Sequence, residues 1–184
     1  MTKKNIILTL KHIDYGKEIH IMKLFVCVDI GTTGIRSGVY DEEFRLLGSG
    51  SGRSVIKRGA QNEIIQDPEE IYTETARAIR EAVQASDVDN SSIVCLSFDG
   101  QMAGVMGIDK DWEAVTPYDS WLDTRCSDQV SFIKSRGQRK IIEKTGNIPS
   151  YNHGPKILWW KENKPEVFVE IKGFIQPSTW VAGR

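Results

Sequence analysis

The sequence predicts an α/β fold in which strands come first and helices follow. Three observations carry this. Apolar, β-rich runs at Leu24 to Asp29 and Ile35 to Tyr40 flank a short Gly/Thr turn, and Arg45 to Ser51 follows an acidic turn, so three antiparallel strands are expected. Asp67-Pro68-Glu69-Glu70 then has the composition of a helix start. Beyond that helix, Ile93 to Phe98 is an unbroken apolar run, the pattern of a strand covered on both faces.

Each element has a local reason. The first strand runs into Asp29, and Gly31, Thr32, Thr33 and Gly34 make the turn that returns the chain. Asp41-Glu42-Glu43 turns it again, and a Gly/Arg-rich loop reaches Gln66. Asp67 is the N-cap, Pro68 sits at N1, and Glu70 at N3 can reach back as a capping box. Ile71, Thr75, Ile79 and Ala82/Val83 fall on one face, predicting a helix of roughly four to five turns. Val105 to Ile108 is a further short strand. After Trp112 the chain reads as helical. Thr124 to Ser135 is amphipathic with Val130 and Ile133 inward, and Gln138 to Lys144 continues after Gly137. Thr145-Gly146 reads as a helix end with Gly at C′. Pro155 to Lys161 and a short segment from Pro165 complete the helices; Ile157 to Trp160 read as core, Lys156 as solvated. Three antiparallel strands, a helix and a parallel strand begin the ribonuclease H/actin-like ATPase fold.

The chain has 184 residues, enough for one domain with a core. A net charge of −1 gives no electrostatic attraction to nucleic acid or an anionic membrane. No apolar run approaches the roughly 20 residues of a membrane span. Three cysteines make no disulfide framework. Cys27 and Cys95 lie in apolar runs and are expected as small buried hydrophobes, which suggests a cytoplasmic protein. His12, His20 and His153 lack metal-ligand spacing, so zinc is not expected.

Residues 1–21 are a mixed basic and apolar stretch without clear periodicity, and are expected to be a non-native extension. Lys17-Glu18 can be encoded by AAG-GAG, a ribosome-binding sequence, three codons before Met22. Translation is therefore expected to begin at Met22, with 22–184 as the domain; N-terminal mass analysis of the native protein decides this.

Several segments can carry chemistry. In the turn after Asp29, glycines let backbone N–H groups approach phosphate oxygens and Thr hydroxyls add donors, although an ordinary hairpin turn has the same composition. Asp29 can hold a hydrated Mg²⁺. Gln101, in the loop after the buried strand, can give and accept hydrogen bonds from a hydroxyl-rich ligand. Trp121 can pack on the C–H face of a sugar or anchor the core. Asp123 can bind a ligand or cap the following helix. Tyr151, in an irregular loop, can offer its hydroxyl.

Five segments in order resemble a known family. They are Asp29-Ile30-Gly31-Thr32-Thr33 with Arg36, Asp99-Gly100-Gln101-Met102, Trp121-Leu122-Asp123-Thr124-Arg125, Thr145-Gly146-Asn147, and Pro155-Lys156-Ile157-Leu158-Trp159. Together they resemble the N-terminal half of the FGGY carbohydrate kinases, a family that includes glycerol kinase and xylulokinase. The resemblance implies transfer of the γ-phosphoryl of Mg-ATP to a sugar or polyol hydroxyl in a cleft between two actin-like domains, and a homodimer of the full-length parent. It implies that Asp29 lies near Mg²⁺ and the phosphoryl, that Gly31, Thr32 and Thr33 lie beside the phosphates, and that Arg36 offsets their charge. It implies a substrate site at Gln101, Met102, Ala103, Trp121, Asp123 and Tyr151. Xylulokinases usually have His where this chain has Ala103, and Ser where it has Asp99, so the sugar stays unnamed. The family's proton-accepting Asp and nucleotide half come later than Arg184, so the chain is expected to be an N-terminal fragment, inactive alone. An actin/Hsp70-like ATPase module and a non-catalytic kinase remnant are the alternatives.

Overall fold

The computed structural model describes residues 23–184. The expectations for residues 1–21 and for a start at Met22 lie outside the described residues. The central sheet has the order β3-β2-β1-β6. β1 (Leu24–Ile30) and β2 (Gly34–Tyr40) form an antiparallel hairpin, and β3 (Leu46–Arg53) pairs antiparallel with β2. β4 (Lys57–Arg58) and β5 (Ile64–Gln66) follow. α1 (Pro68–Ser86) then crosses the sheet and delivers β6 (Ile93–Gly100) parallel to β1.

One face of this sheet is the core. Val26, Val28 and Ile30 alternate inward on β1 and meet Ile35 and Val39 on β2. Ile71, Ala78 and Ala82 of α1 close over them. On β3 the covering helix comes to backbone distance: a Cβ at Gly50 would lie 2.1 Å from Ala78 O, and one at Gly52 2.6 Å from Glu74 O, with Gly48 as close to the Ser86 backbone. α1 starts as expected, with Asp67 accepting from Glu69 N and Glu70 N at 3.0 and 3.5 Å. The capping box is half formed, because Glu70 pairs with Lys57 Nζ at 3.0 Å.

The other face is uncovered, which corrects two expectations. Cys27 and Cys95 are exposed, not buried, because both alternate onto that face. β6 is not covered on both sides: it is the last strand of the sheet, with Val94 57% and Leu96 47% exposed.

Beyond the central sheet, β7 (Met106–Ile108) pairs with β9 (Gly173–Ile175), and β8 (Tyr118–Asp119) pairs with β5. β7 is the short strand expected at 105–108, whereas β8 and β9, of two and three residues, are too short for a period to register in sequence, so the segments after Trp112 read as helical. α2 (Ser127–Thr145) runs unbroken through Gly137 and ends at Gly146, whose φ of 73° is the left-handed C-cap expected there. α3 (His153–Asn163), α4 (Pro165–Phe168) and α5 (Pro177–Gly183) follow. Trp112 and Trp180 each donate an indole N–H to the other's carbonyl, at 3.2 and 2.9 Å, locking α5 to the loop after β7. Among the described residues, no helix is long and apolar enough to cross a membrane.

A buried ionic cluster joins the outlying pieces. Arg125 donates to Glu63, Asp119 and Asp123 at 2.7, 2.6 and 2.9 Å, and its guanidinium lies 4.5 Å from the Trp159 ring centroid. Asp119 also accepts from Trp160 Nε1 at 2.6 Å. Lys156, expected to be solvated, is 2% exposed; its Nζ donates to Asp123 O at 2.7 Å because the first turn of α3 packs onto this loop. Burial pushes the Asp119 carboxyl up to about 6, against the opposing pull of Arg125 and Trp160. Burial pushes Lys156 down, and Asp123 opposes it.

Two stability outcomes follow. Gly50→Ala forces β3 and α1 apart and lowers stability by about 1–3 kcal/mol, as overpacking does, whereas Gly154→Ala, with nothing within 4 Å of the added methyl, does not. Urea unfolding of both variants checks the contrast. Arg125→Leu strands two buried carboxylates, Asp119 and Asp123, and costs about 3–5 kcal/mol; a loss under 1 kcal/mol in the same assay would show that the cluster is not held by this side chain.

Candidate functional site

The carboxyl ends of β1 and β6 lie side by side and feed two loops. From β1 comes the turn 31–34, closed by Gly31 N donating to Gly34 O at 3.1 Å. Gly31 is required by space, since a Cβ there would stand 2.8 Å from Gly34 O. From β6 the chain continues into Gln101, whose N–H still bonds Ile30 O at 3.2 Å. Two residues later the loop turns at Ala103 with a φ of 65°.

Asp29 is exposed near the end of β1. Its cross-strand partners are Arg36 on β2 and Asp99 on β6, so three charged side chains form a row on the uncovered face. Asp29 makes no hydrogen bond or ion pair among the described residues. Asp99 Oδ1 accepts from Gly100 N at 2.7 Å. Thr33 is exposed and Thr32 half-buried in the turn.

Thr32 connects the turn to the neighbouring loops. Its hydroxyl donates to Gln101 Oε1 at 3.1 Å and accepts from Trp121 Nε1 at 2.9 Å. Residues 69 and 89 positions away in sequence therefore meet at one hydroxyl. Trp121 is 48% exposed, so the indole is tethered by its N–H while much of its surface faces solvent. Met102 is exposed beside Gln101. Gln101 itself is nearly buried, with Nε2 donating to Gln66 Oε1 at 2.8 Å. Gln66 is fully buried and donates to Ser54 Oγ at 2.6 Å.

The structure thus brings Thr32, Gln101 and Trp121 into direct contact and sets Asp29, Arg36 and the turn beside them. Tyr151 is half-exposed on the bend before α3 and makes no hydrogen bond to this group. Asp123 is corrected. It is 2% exposed, its oxygens accept from Ile64 N, Arg125 N and Arg125 Nε, and the cap position of α2 is Cys126. It therefore anchors the Trp121 loop from inside rather than facing a ligand or capping a helix. Gln66 and Ser54 escaped the sequence reading. The one signal was a polar residue next to the Asp67 cap, and a three-residue strand gives no alternation to mark it as buried.

The turn can hold phosphate oxygens on backbone N–H groups and the Thr33 hydroxyl, with Arg36 nearby as a cation. Among the described residues no group of three or more His, Cys, Asp or Glu could cage a metal. A single open carboxylate at Asp29 nevertheless fits Mg²⁺, which keeps most of its waters and is held by one or two carboxylates and phosphate. Gln101 and Trp121 offer an amide and an aromatic face to a polyol.

Comparison with known proteins identifies the family of the chain. The model of the FGGY family of carbohydrate kinases, N-terminal domain, matches residues 24–184. A xylulose kinase of Bacillus subtilis is 27% identical over 165 residues, covering 89% of this chain and 33% of that protein. A glycerol kinase of Thermococcus kodakarensis is 28% identical over 144 residues, covering 78% and 29%. The structure of a ligand-bound xylulose kinase of Lactobacillus acidophilus superposes with a TM-score of 0.78 at 26% identity, covering 86% of this chain and 32% of that one. The chain spans about a third of the length of the curated relatives it matches. A family match that begins in β1 and runs to the last residue, over a fold shared with solved sugar kinases, makes the kinship plain: this chain belongs to the FGGY family of carbohydrate kinases.

Proposed function

We propose that the chain supplies the phosphate turn and the sugar-facing loops of an ATP-dependent carbohydrate kinase. The observation that carries this reading is the contact of Thr32 with both Gln101 and Trp121. A phosphoryl-holding turn and a polyol-holding pair of side chains meet within hydrogen-bond distance, as direct transfer between two bound ligands requires. In this reading Asp29 orients Mg²⁺ and the charge of the transferring group; Gly31, Thr32, Thr33 and Arg36 hold the phosphates. Mg²⁺, when bound, supplies charge neutralisation on the phosphate oxygens. Gln101, Met102, Ala103, Trp121 and Tyr151 face the sugar or polyol. Similarity to both xylulose and glycerol kinases supports the substrate class and leaves the individual sugar to experiment.

No residue among 23–184 is assigned the role of accepting the substrate hydroxyl's proton. The 184-residue chain by itself is therefore expected to release no ADP in response to sugar, in an assay with Mg-ATP and a ketose and polyol panel. Sugar-stimulated ADP release above an Asp29→Ala control would place the accepting base within this chain, at Asp99 first.

In the complete kinase, Asp29→Ala lowers kcat about a hundredfold or more while sugar KM changes far less, because the contact belongs to the transition state. An unchanged kcat removes Asp29 from this role. Trp121→Ala weakens sugar binding by about 1 kcal/mol beyond area, roughly fivefold in KM, with ATP affinity unchanged. If ATP affinity falls instead, Trp121 belongs to the phosphate side.

A further inference from the structure

The hydrogen bonds at the site leave one proton for two tasks. Thr32 has a single hydroxyl proton, and it lies on Gln101 Oε1 at 3.1 Å while the hydroxyl oxygen accepts from Trp121 Nε1. A phosphate oxygen seated in the turn needs that same proton, since a hydroxyl offers only one. Gln101 alone cannot release it by turning its amide over, because Gln66 would have to turn with it. Its Nε2 is committed to Gln66 Oε1 at 2.8 Å, and Gln66, fully buried, is held in turn by donating to Ser54 Oγ. A flipped Gln101 would set two amide oxygens against each other where water does not reach.

We propose that Gln66 is a positioning residue that pins the Gln101 carbonyl onto Thr32, so that the one Thr32 hydroxyl proton couples the phosphate turn to the sugar side. The inference rests on the functional reading of the turn and of the Gln101–Trp121 pair. When a phosphate oxygen takes the proton, Gln101 Oε1 loses its donor in a side chain only 6% exposed. A sugar hydroxyl that donates to it then replaces the lost bond. Conversely, a sugar already donating to Oε1 frees Thr32 for phosphate. One hydrogen bond moves and another takes its place, with no covalent bond changed. Each ligand therefore tightens the other by the same factor. Gln66 touches neither ligand and acts only through the amide it orients.

The test titrates the ¹⁵N-labelled 184-residue chain with xylulose, glycerol and gluconate, with and without saturating inorganic phosphate, following the Trp121 indole N–H resonance. In the unmodified chain phosphate tightens sugar binding about two- to tenfold, the effect of one net hydrogen bond. Thr32→Val and Gln66→Met bring that ratio to one, and Thr32→Ser, which keeps the hydroxyl, restores it. A merely structural Gln66 would weaken both ligands and leave the ratio untouched. If Gln66→Met does not fold, the Thr32→Val and Thr32→Ser pair in the half-buried turn decides. A ratio of one in the unmodified chain, or coupling that survives in folded Thr32→Val, overturns the proposal and leaves the kinase reading standing. Absence of any sugar-induced shift in the unmodified chain overturns both together.

Discussion

The arrangement of the site depends on Arg125. Its three carboxylate partners come from the segment before β5, from β8, and from its own loop. Held together, they fix Trp121 relative to Gln66, the first through the Asp123 loop and the second through the pairing of β5 with β8. Two cations, Arg125 and Lys156, face the buried carboxylates of Asp119 and Asp123 and the partly exposed one of Glu63. Burial resists that excess of negative charge, which is why Asp119 takes up a proton more readily than an ordinary carboxyl. The planar guanidinium, with five donors and an aromatic face to stack on, serves three acids and Trp159 at once; a lysine could not.

A second constraint acts on the central sheet. The glycines of β3 bring α1 to backbone distance, and this close approach seals one face. The opposite face carries Cys27, Asp29, Arg36 and Asp99 to solvent. Because alternate residues of a strand point to opposite faces, the pleat that buries Val28 and Ile30 is what presents Asp29 beside the turn. Core and site on β1 are two readings of the same alternation.

Much of this was legible. The hairpin, α1 with its Asp67 cap, β6, the α2 stop at Gly146 and the short α4 all announce themselves through local chemistry: turn glycines, a capping carboxylate, an apolar run, a proline. The ordered set of segments that resembles the FGGY family was equally readable, because each is a short contiguous stretch. Lys156, Asp123, Cys95 and Gln66 were not. A lysine near a helix start is usually solvated, and nothing local signals that a backbone carbonyl waits for it. An aspartate before a helix usually caps it, and nothing local signals Ile64 N, 59 residues away. An apolar strand reads the same whether its neighbours cover it or not.

The sequence by itself determined β1 to β3, α1, β6, β7 and the helices α2 to α4, the Gly/Thr turn after Asp29, and the family. Those follow from backbone propensity and from side chains acting on neighbours a few residues away. Only the tertiary structure decided which polar groups are buried partners and which stay exposed, and that Thr32, Gln101 and Trp121 converge on one hydroxyl. Such choices follow from desolvation: a polar side chain taken out of water must find its partner wherever the fold brings one, and that distance is not written along the chain.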